Sequence, residues 1–240
     1  GHDDYLDGVD KAKSKSPTVL CLLMDDMGYG DTSLNGAIYD TPNMDRIGGC
    51  FIYRKDRLKP YGEWLSAYQD TASHYHGRMI AQGFEEIKTG ERLIVSVNHM
   101  KSKRPGRTQY DTNLRRMENT DSLLAMLPIA IEQFGDSDVL LLGDYNCYTY
   151  EQPIQTIVRA GYEDMLQVYC PDDYSYSYKG EIGYLDRCFA SPSMAAQVIL
   201  VRPWHVNADW YYQHAAYRQK DKSHHRYADH DPIIVDVKLQ

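Results

Sequence analysis

Val139, Leu140, Leu141 and Leu142 form an apolar run that stops abruptly at Gly143-Asp144-Tyr145-Asn146. A continuous apolar run reads as a buried strand of an α/β fold rather than a half-exposed one, which would alternate. Asp144 and Asn146 stand two residues apart, so an extended chain carries both to the same side. The strand then delivers a carboxylate and an amide to the edge of a sheet, where open α/β sheets build their sites. Such a pair suits activating a water and holding a phosphate oxygen or a metal.

The totals allow one large domain or two small ones: 240 residues, 42% hydrophobic and 25% charged. A formal net charge of -8 excludes broad electrostatic wrapping of nucleic acid. It leaves room for a nuclease whose phosphate contacts are local and metal-assisted. Twenty-one Tyr against four Phe suits half-exposed sheet positions, with substrate stacking as a second use. Cys21, Cys50, Cys147, Cys170 and Cys188 are odd in number and lack CxxC spacing. They match neither a disulfide framework nor a structural zinc site, although one or two disulfides stay open. No apolar run is long enough to span a membrane, and no signal peptide is visible.

Residues 1–15 are a polar tail. Residues 18–24 read as a buried strand ending at Asp25 and Asp26, and Gly48-Gly49 cuts off a helix begun at residues 43–47. Residues 50–54 read as a strand, 55–57 as a turn and 63–77 as an irregular loop. Residues 78–85 and 92–97 read as a hairpin that ends in Asn98-His99. Helical spacing over 109–134 places Leu114, Met117, Leu123, Leu124, Met126, Leu127, Ile129, Ile131 and Phe134 against a sheet face. A second helix, 151–160, turns Ile154, Ile157 and Val158 inward and stops at Gly161. Strands follow at 174–178, 183–190 (carrying Asp186), 195–202 and 233–237, with a polar loop at 210–227. The last strand comes directly after Asp229-His230-Asp231-Pro232.

Four strand ends therefore carry polar groups: His99, Asp144 with Asn146, Asp186, and Asp229 with His230. Each alone has an ordinary explanation, such as a surface histidine, an Asx turn, an ion pair or a loop closed by proline. Together they outline a hydrolytic cleft at one edge of a β-sandwich.

Two resemblances overlie this pattern. Residues 16–48 resemble the amino terminus of a sulfatase, through Asp25-Asp26-Met27-Gly28-Tyr29-Gly30-Asp31 and Thr41-Pro42-Asn43-Met44-Asp45-Arg46-Ile47. The paired Asp25 and Asp26 would be calcium ligands in that family. Its Cys/Ser-x-Pro-x-Arg nucleophile motif is absent, so sulfatase chemistry is excluded. Residues 49–240 resemble the endonuclease/exonuclease/phosphatase superfamily, the DNase I-like proteins, and within it the bacterial extracellular nucleases. The strings are Phe51-Ile52-Tyr53-Arg54-Lys55-Asp56, Asn98-His99-Met100-Lys101-Ser102-Lys103, Gly143-Asp144-Tyr145-Asn146, Gly183-Tyr184-Leu185-Asp186, His205-Val206-Asn207-Ala208-Asp209 and Asp229-His230-Asp231-Pro232.

This second resemblance implies a four-layer α/β/β/α sandwich that hydrolyses phosphodiesters of DNA or RNA with Mg2+, or with Ca2+ or Mn2+. It also implies a secreted or periplasmic monomer. By motif, Asp144 would activate the water and bind metal with Asp229. Asn146, Asn98 and Arg78 would bind substrate. His230, held by Asp186, would stabilise the phosphate charge, and His99 would protonate the leaving oxygen or touch the scissile phosphate. The family's first strands, with their metal-binding Glu, have no counterpart in the string, so the sandwich is expected to be N-terminally incomplete. Three functions remain open on this basis: a nuclease with an impaired metal site, a hydrolase that recruits Asp25 or Asp26 to the metal, and a non-catalytic phosphate- or nucleic-acid-binding remnant. Within the hydrolases, a phosphomonoesterase or a sphingomyelinase-like phosphodiesterase is the alternative substrate class.

Overall fold

The apolar run lies at the centre of the main sheet. A computed structural model describes residues 51–67, 78–104, 112–209 and 228–240. Along these residues the elements are β1 (Leu58–Ala67), β2 (Arg78–Glu86), β3 (Arg92–His99), α1 (Thr112–Phe134), β4 (Val139–Asp144), α2 (Gln152–Arg159), β5 (Glu163–Asp164), α3 (Met165–Tyr169), β6 (Tyr176–Tyr178), β7 (Glu181–Gly183), β8 (Asp186–Ala190), α4 (Pro192–Ala195), β9 (Val198–Pro203) and β10 (Ile233–Val237). Six strands form one sheet in the order β1-β2-β3-β4-β8-β5. β10 pairs with β9, and β6 with β7, as two smaller sheets.

Alternation along β4 sorts its side chains to two covered faces. Val139 and Leu141 join Leu123, Leu127 and Phe134 of α1 and Ile154 and Ile157 of α2 in one core. Leu140 and Leu142 join Val201 of β9 and Val235 and Val237 of β10 in the other. The result is helix, six-stranded sheet and second sheet in layers, the α/β sandwich expected. The two longer helices, α1 and α2, share one side of it. β3 and β4 run parallel, which requires a crossover, and α1 supplies it.

Several local expectations are corrected. Residues 51–54 are not a strand. Phe51 and Tyr53 instead pack edge-on against Phe84, with ring centroids 5.4 and 5.3 Å away. The strand starts at Leu58 and includes residues 63–67, expected to be loop. Its register slips between Tyr61 and Leu65, so the period-two signal is broken mid-strand. The expected strand 183–190 splits into β7 and β8, and the one at 174–178 shortens to β6. The one at 195–202 begins only at Val198, because Ser191 caps a short helix over Pro192–Ala195. On α1, Leu114 and Ile129 face outward, and on α2 so does Val158. Arg116, Asn119 and Thr120 are buried on α1 instead.

Residues 1–48, with Asp25, Asp26 and the expected strand at 18–24, lie outside the described residues, as do residues 68–77 and 210–227. No helix among the described residues is long and apolar enough to cross a membrane. Cys147, Cys170 and Cys188 are free thiols.

The buried strand β4 and the outer face of α1 make a direct comparison. Leu141 is fully buried and Leu114 is 55% exposed. Leu141→Ala should cost about 2–5 kcal/mol, seen as a lower urea midpoint with an unchanged slope. Leu114→Ala should stay within about 0.5 kcal/mol. Equal losses would refute the assignment of faces.

Candidate active site

Strand register brings the expected polar groups into a row. The parallel β3–β4 pairing sets His99 beside Asp144, and the antiparallel β4–β8 pairing sets Asp144 beside Asp186. Arg78 opens β2 as the register partner of His99. Its side chain lies outside the described residues. His230 reaches the row from the segment before β10 and is bridged to Tyr176 of β6.

Gly143 makes this approach of strands feasible. Its φ is +145°, and a Cβ there would sit 1.8 Å from the carbonyl oxygen of Asn98. Only glycine fits so close to a neighbouring backbone. One residue later the chain is committed to Asp144, which is 2% exposed. Its Oδ1 accepts from the backbone N–H of Asn146 at 2.7 Å, and its Oδ2 accepts from the Asn146 amide at 2.6 Å. The turn that permits both bonds holds Asn146 at φ 50°, a left-handed conformation that asparagine tolerates best after glycine. The Asn146 amide also donates to the carbonyl of Met100 at 3.1 Å.

Two expected substrate contacts are therefore placed differently. Both amide hydrogens of Asn146 are engaged, by Asp144 and Met100, so in this structure the group clamps the carboxylate instead of projecting toward a phosphate. Asn98 is fully buried. Its amide donates to the carbonyls of Ser96 and Leu142 and to the Tyr145 hydroxyl, and its oxygen accepts from Ser96 Oγ. It braces β3 against β4 and does not face the cleft. His99 is partly exposed, with Nε2 3.8 Å from Asp144 Oδ2.

His230 and Asp186 meet as expected, Nδ1 to Oδ2 at 2.9 Å. Asp186 Oδ2 also accepts from Ser175 Oγ at 2.7 Å, which fixes the carboxylate. Tyr176 packs on the imidazole at a centroid distance of 4.6 Å. The remaining ring nitrogen, Nε2, lies 3.9 Å from Asp229. Burial pulls the imidazole toward neutrality, but Asp186, then Asp144 and Asp229, outweigh it and hold His230 up to about 11. The neighbouring acids thus favour the imidazolium, with Nδ1 turned to Asp186 and Nε2 to Asp229.

Ligand atoms of Asp144, Asp186 and His230 lie within 4.8 Å of one another, a spacing that suits one cation. Their chemistry divides them. The imidazolium has no lone pair to give, and Asp186 Oδ2 already accepts two hydrogen bonds. Each Asp144 oxygen accepts a bond from Asn146, which presents the carboxylate in a fixed orientation. Asp229, 41% exposed, lies beside His230 Nε2. One or two carboxylates, with water and substrate phosphate completing the shell, is what Mg2+ takes. Asp144 and Asp229 fit that requirement.

A second histidine, His205, braces the far side. Its Nδ1 lies 2.9 Å from Asp231 and its Nε2 2.9 Å from Asp173. Asp231 Oδ1 accepts from the backbone N–H groups of Val206, Asn207 and Ala208. Asn207 in turn donates to the His230 carbonyl at 2.7 Å. Nothing in Asp229-His230-Asp231 tells from sequence which acid faces the cleft and which the core. Ser175 and Tyr176 were likewise legible only as strand residues.

No protein-family model matches the chain, and no curated protein matches it. Solved structures do. The human Nocturnin catalytic domain aligns over 78% of this chain and 62% of its own, at 15% identity and a TM-score of 0.53. An endonuclease/exonuclease/phosphatase family protein from Bacteroides thetaiotaomicron aligns over 78% and 66%, at 15% identity and 0.55. The chain has the endonuclease/exonuclease/phosphatase fold. A 3′ phosphatase from Neisseria, bound to a product DNA hairpin, aligns over 75% and 72%, at 14% identity and 0.53. The chain thus spans under two thirds of the Nocturnin domain and about two thirds of the Bacteroides protein.

The charge state of His230 is open to measurement. Its folded value lies above the ordinary 6.5, so the stabilisation from the imidazolium is complete below about 6.5 and is lost as pH rises toward about 11. In the metal-free protein, ring-proton NMR should find His230 protonated throughout neutrality, and Asp186→Asn should move its titration down. A His230 that titrates near 6.5 in the unsubstituted protein would contradict the pairing.

Proposed function

We propose that this chain is a metal-dependent phosphoester hydrolase acting on nucleic-acid phosphodiesters. The observation that carries this reading is the row of His99, Asp144 and Asp186 across three strand ends, with the His230 imidazolium held beside it. The fold it shares with the solved structures above supports a phosphoester substrate, and the DNA hairpin bound by the Neisseria phosphatase supports a nucleic acid.

Asp144 is a buried carboxylate held at both oxygens by Asn146. A carboxylate in that state orients a water and accepts its proton as the water attacks phosphorus. His230 donates Nε2–H to a non-bridging phosphate oxygen, where negative charge grows in the transition state. Asp186 keeps the ring charged and correctly turned, and Ser175 keeps Asp186 in place. His99, partly exposed next to Asp144, is placed to protonate the leaving oxygen. Arg78, at the start of the strand beside His99, is the proposed phosphate contact. Asp144 and Asp229 would hold a divalent cation, which when bound supplies Lewis-acid polarisation of a phosphate oxygen.

Nicking of supercoiled plasmid with Mg2+ tests this. Asp144→Ala and His230→Ala should each slow nicking by about 10²–10⁴-fold, and chelation should abolish it. Plasmid binding without nicking by the unsubstituted chain would sink the hydrolase reading and leave a binding protein. With Asp144 and Asp229 as the proposed carboxylate donors, the Asp25→Ala/Asp26→Ala double variant should still nick. Loss of nicking in that variant would bring those residues into the metal shell.

A further inference from the structure

The β6–β7 hairpin carries aromatic rings that the proposed chemistry does not use. Tyr176 and Tyr178 stand two residues apart and so share one face of β6. Their rings are nearly parallel, 9° apart, with centroids separated by 6.3 Å. Tyr176 touches the His230 imidazole at 4.6 Å, so the pair extends outward from the proposed catalytic ring. Tyr178 is 52% exposed. A third ring, Tyr148, lies across the hairpin at Gly183. A Cβ on Gly183 would meet Tyr148 Cδ1 and Cε1 at 3.0 Å, so the missing side chain is what seats that ring.

Cations attend these rings although the chain as a whole is acidic. Lys179 Nζ lies 5.2 Å from the Tyr178 centroid, and Lys103 Nζ lies 5.0 Å from that of Tyr148, where it is paired with Glu151 and would exchange that carboxylate for a phosphate. Arg104 is near enough to Tyr176 to act on its hydroxyl electrostatically. Rings with an accessible face, interleaved with cations, match what an unpaired nucleic-acid strand requires. Bases stack on the rings, and phosphates take the charges. A protein partner would call for an apolar patch without this density of cations, and a bare phosphate would not use the rings.

We infer that Tyr176, Tyr178 and Tyr148 form a stacking platform for unpaired nucleobases flanking the scissile phosphate, with Lys179 and Lys103 on the adjoining phosphates. The inference rests on the hydrolase reading for its substrate class, and it adds that the substrate is single-stranded or frayed at the site. Duplex DNA keeps its bases stacked on one another and offers only groove edges and backbone to such a platform.

Fluorescence anisotropy of labelled octathymidylate with chelator present, which prevents cleavage, tests the platform. An octamer of abasic sugar-phosphate units serves as the comparison. Tyr178→Ala should weaken octathymidylate binding about tenfold and leave binding of the abasic octamer unchanged. Tyr178→Phe should bind like the unsubstituted chain, since stacking uses the ring and not the hydroxyl. Unchanged octathymidylate binding in Tyr178→Ala, an equal loss on both octamers, or a Tyr178→Phe as weak as Tyr178→Ala would each overturn the platform. Hydrolysis of bis(4-nitrophenyl) phosphate by the unsubstituted chain with Mg2+ reports the chemistry separately. No hydrolysis there, with the Tyr178-dependent binding intact, would fail the hydrolase reading and keep the platform.

Discussion

The carbonyl oxygen of Asn98 occupies the space that a side chain on residue 143 would need. That contact lets β3 and β4 run close at their ends, and the site depends on the closeness. Asn98 reinforces it with amide bonds to the Leu142 carbonyl and the Tyr145 hydroxyl, all inside the core. From this brace Asp144 emerges already oriented, and Asn146 closes on both of its oxygens. Buried polar groups of this kind are stable only when every donor and acceptor finds a partner. The same network therefore holds the strands and aims the carboxylate.

Charge is organised on the same frame. Three carboxylates surround one imidazole, and their joint field keeps it protonated despite its burial. The acids are divided among different partners. Asp186 belongs to the ring, held there by Ser175, while Asp144 is clamped by Asn146 and Asp229 stands 3.9 Å from the other ring nitrogen. The His205–Asp231 pair keeps the segment carrying His230 in place through the backbone of residues 206–208.

Much of this was legible in the residues. The run 139–142, the hairpin of β2 and β3, the long helix and the final strand follow from periodicity, because each buries a regular face. The pairing of Asp186 with His230 came from the resemblance to the DNase I-like proteins, while the strand ends alone marked both residues without pairing them. Other features have no one-dimensional trace. β1 hides behind a slip in register at Tyr61–Leu65 that breaks its alternation. Asn98 and Asn146 look alike as polar residues after a strand, yet one braces the core and the other clamps Asp144. The helix α1 buries Arg116 and Asn119 where Leu114 and Ile129 have the apolar composition. In each case the deciding factor is a neighbour distant in sequence.

His99, Asp144 and Asp186 come from three strands and His230 from the segment before β10, with tens of residues between each and the next. No fragment that keeps one strand pair keeps the site. The row is complete only when β3, β4, β8 and the segment bearing His230 are all in place. The geometry of these four side chains therefore reports on the packing of the whole sandwich and not on any one strand pair.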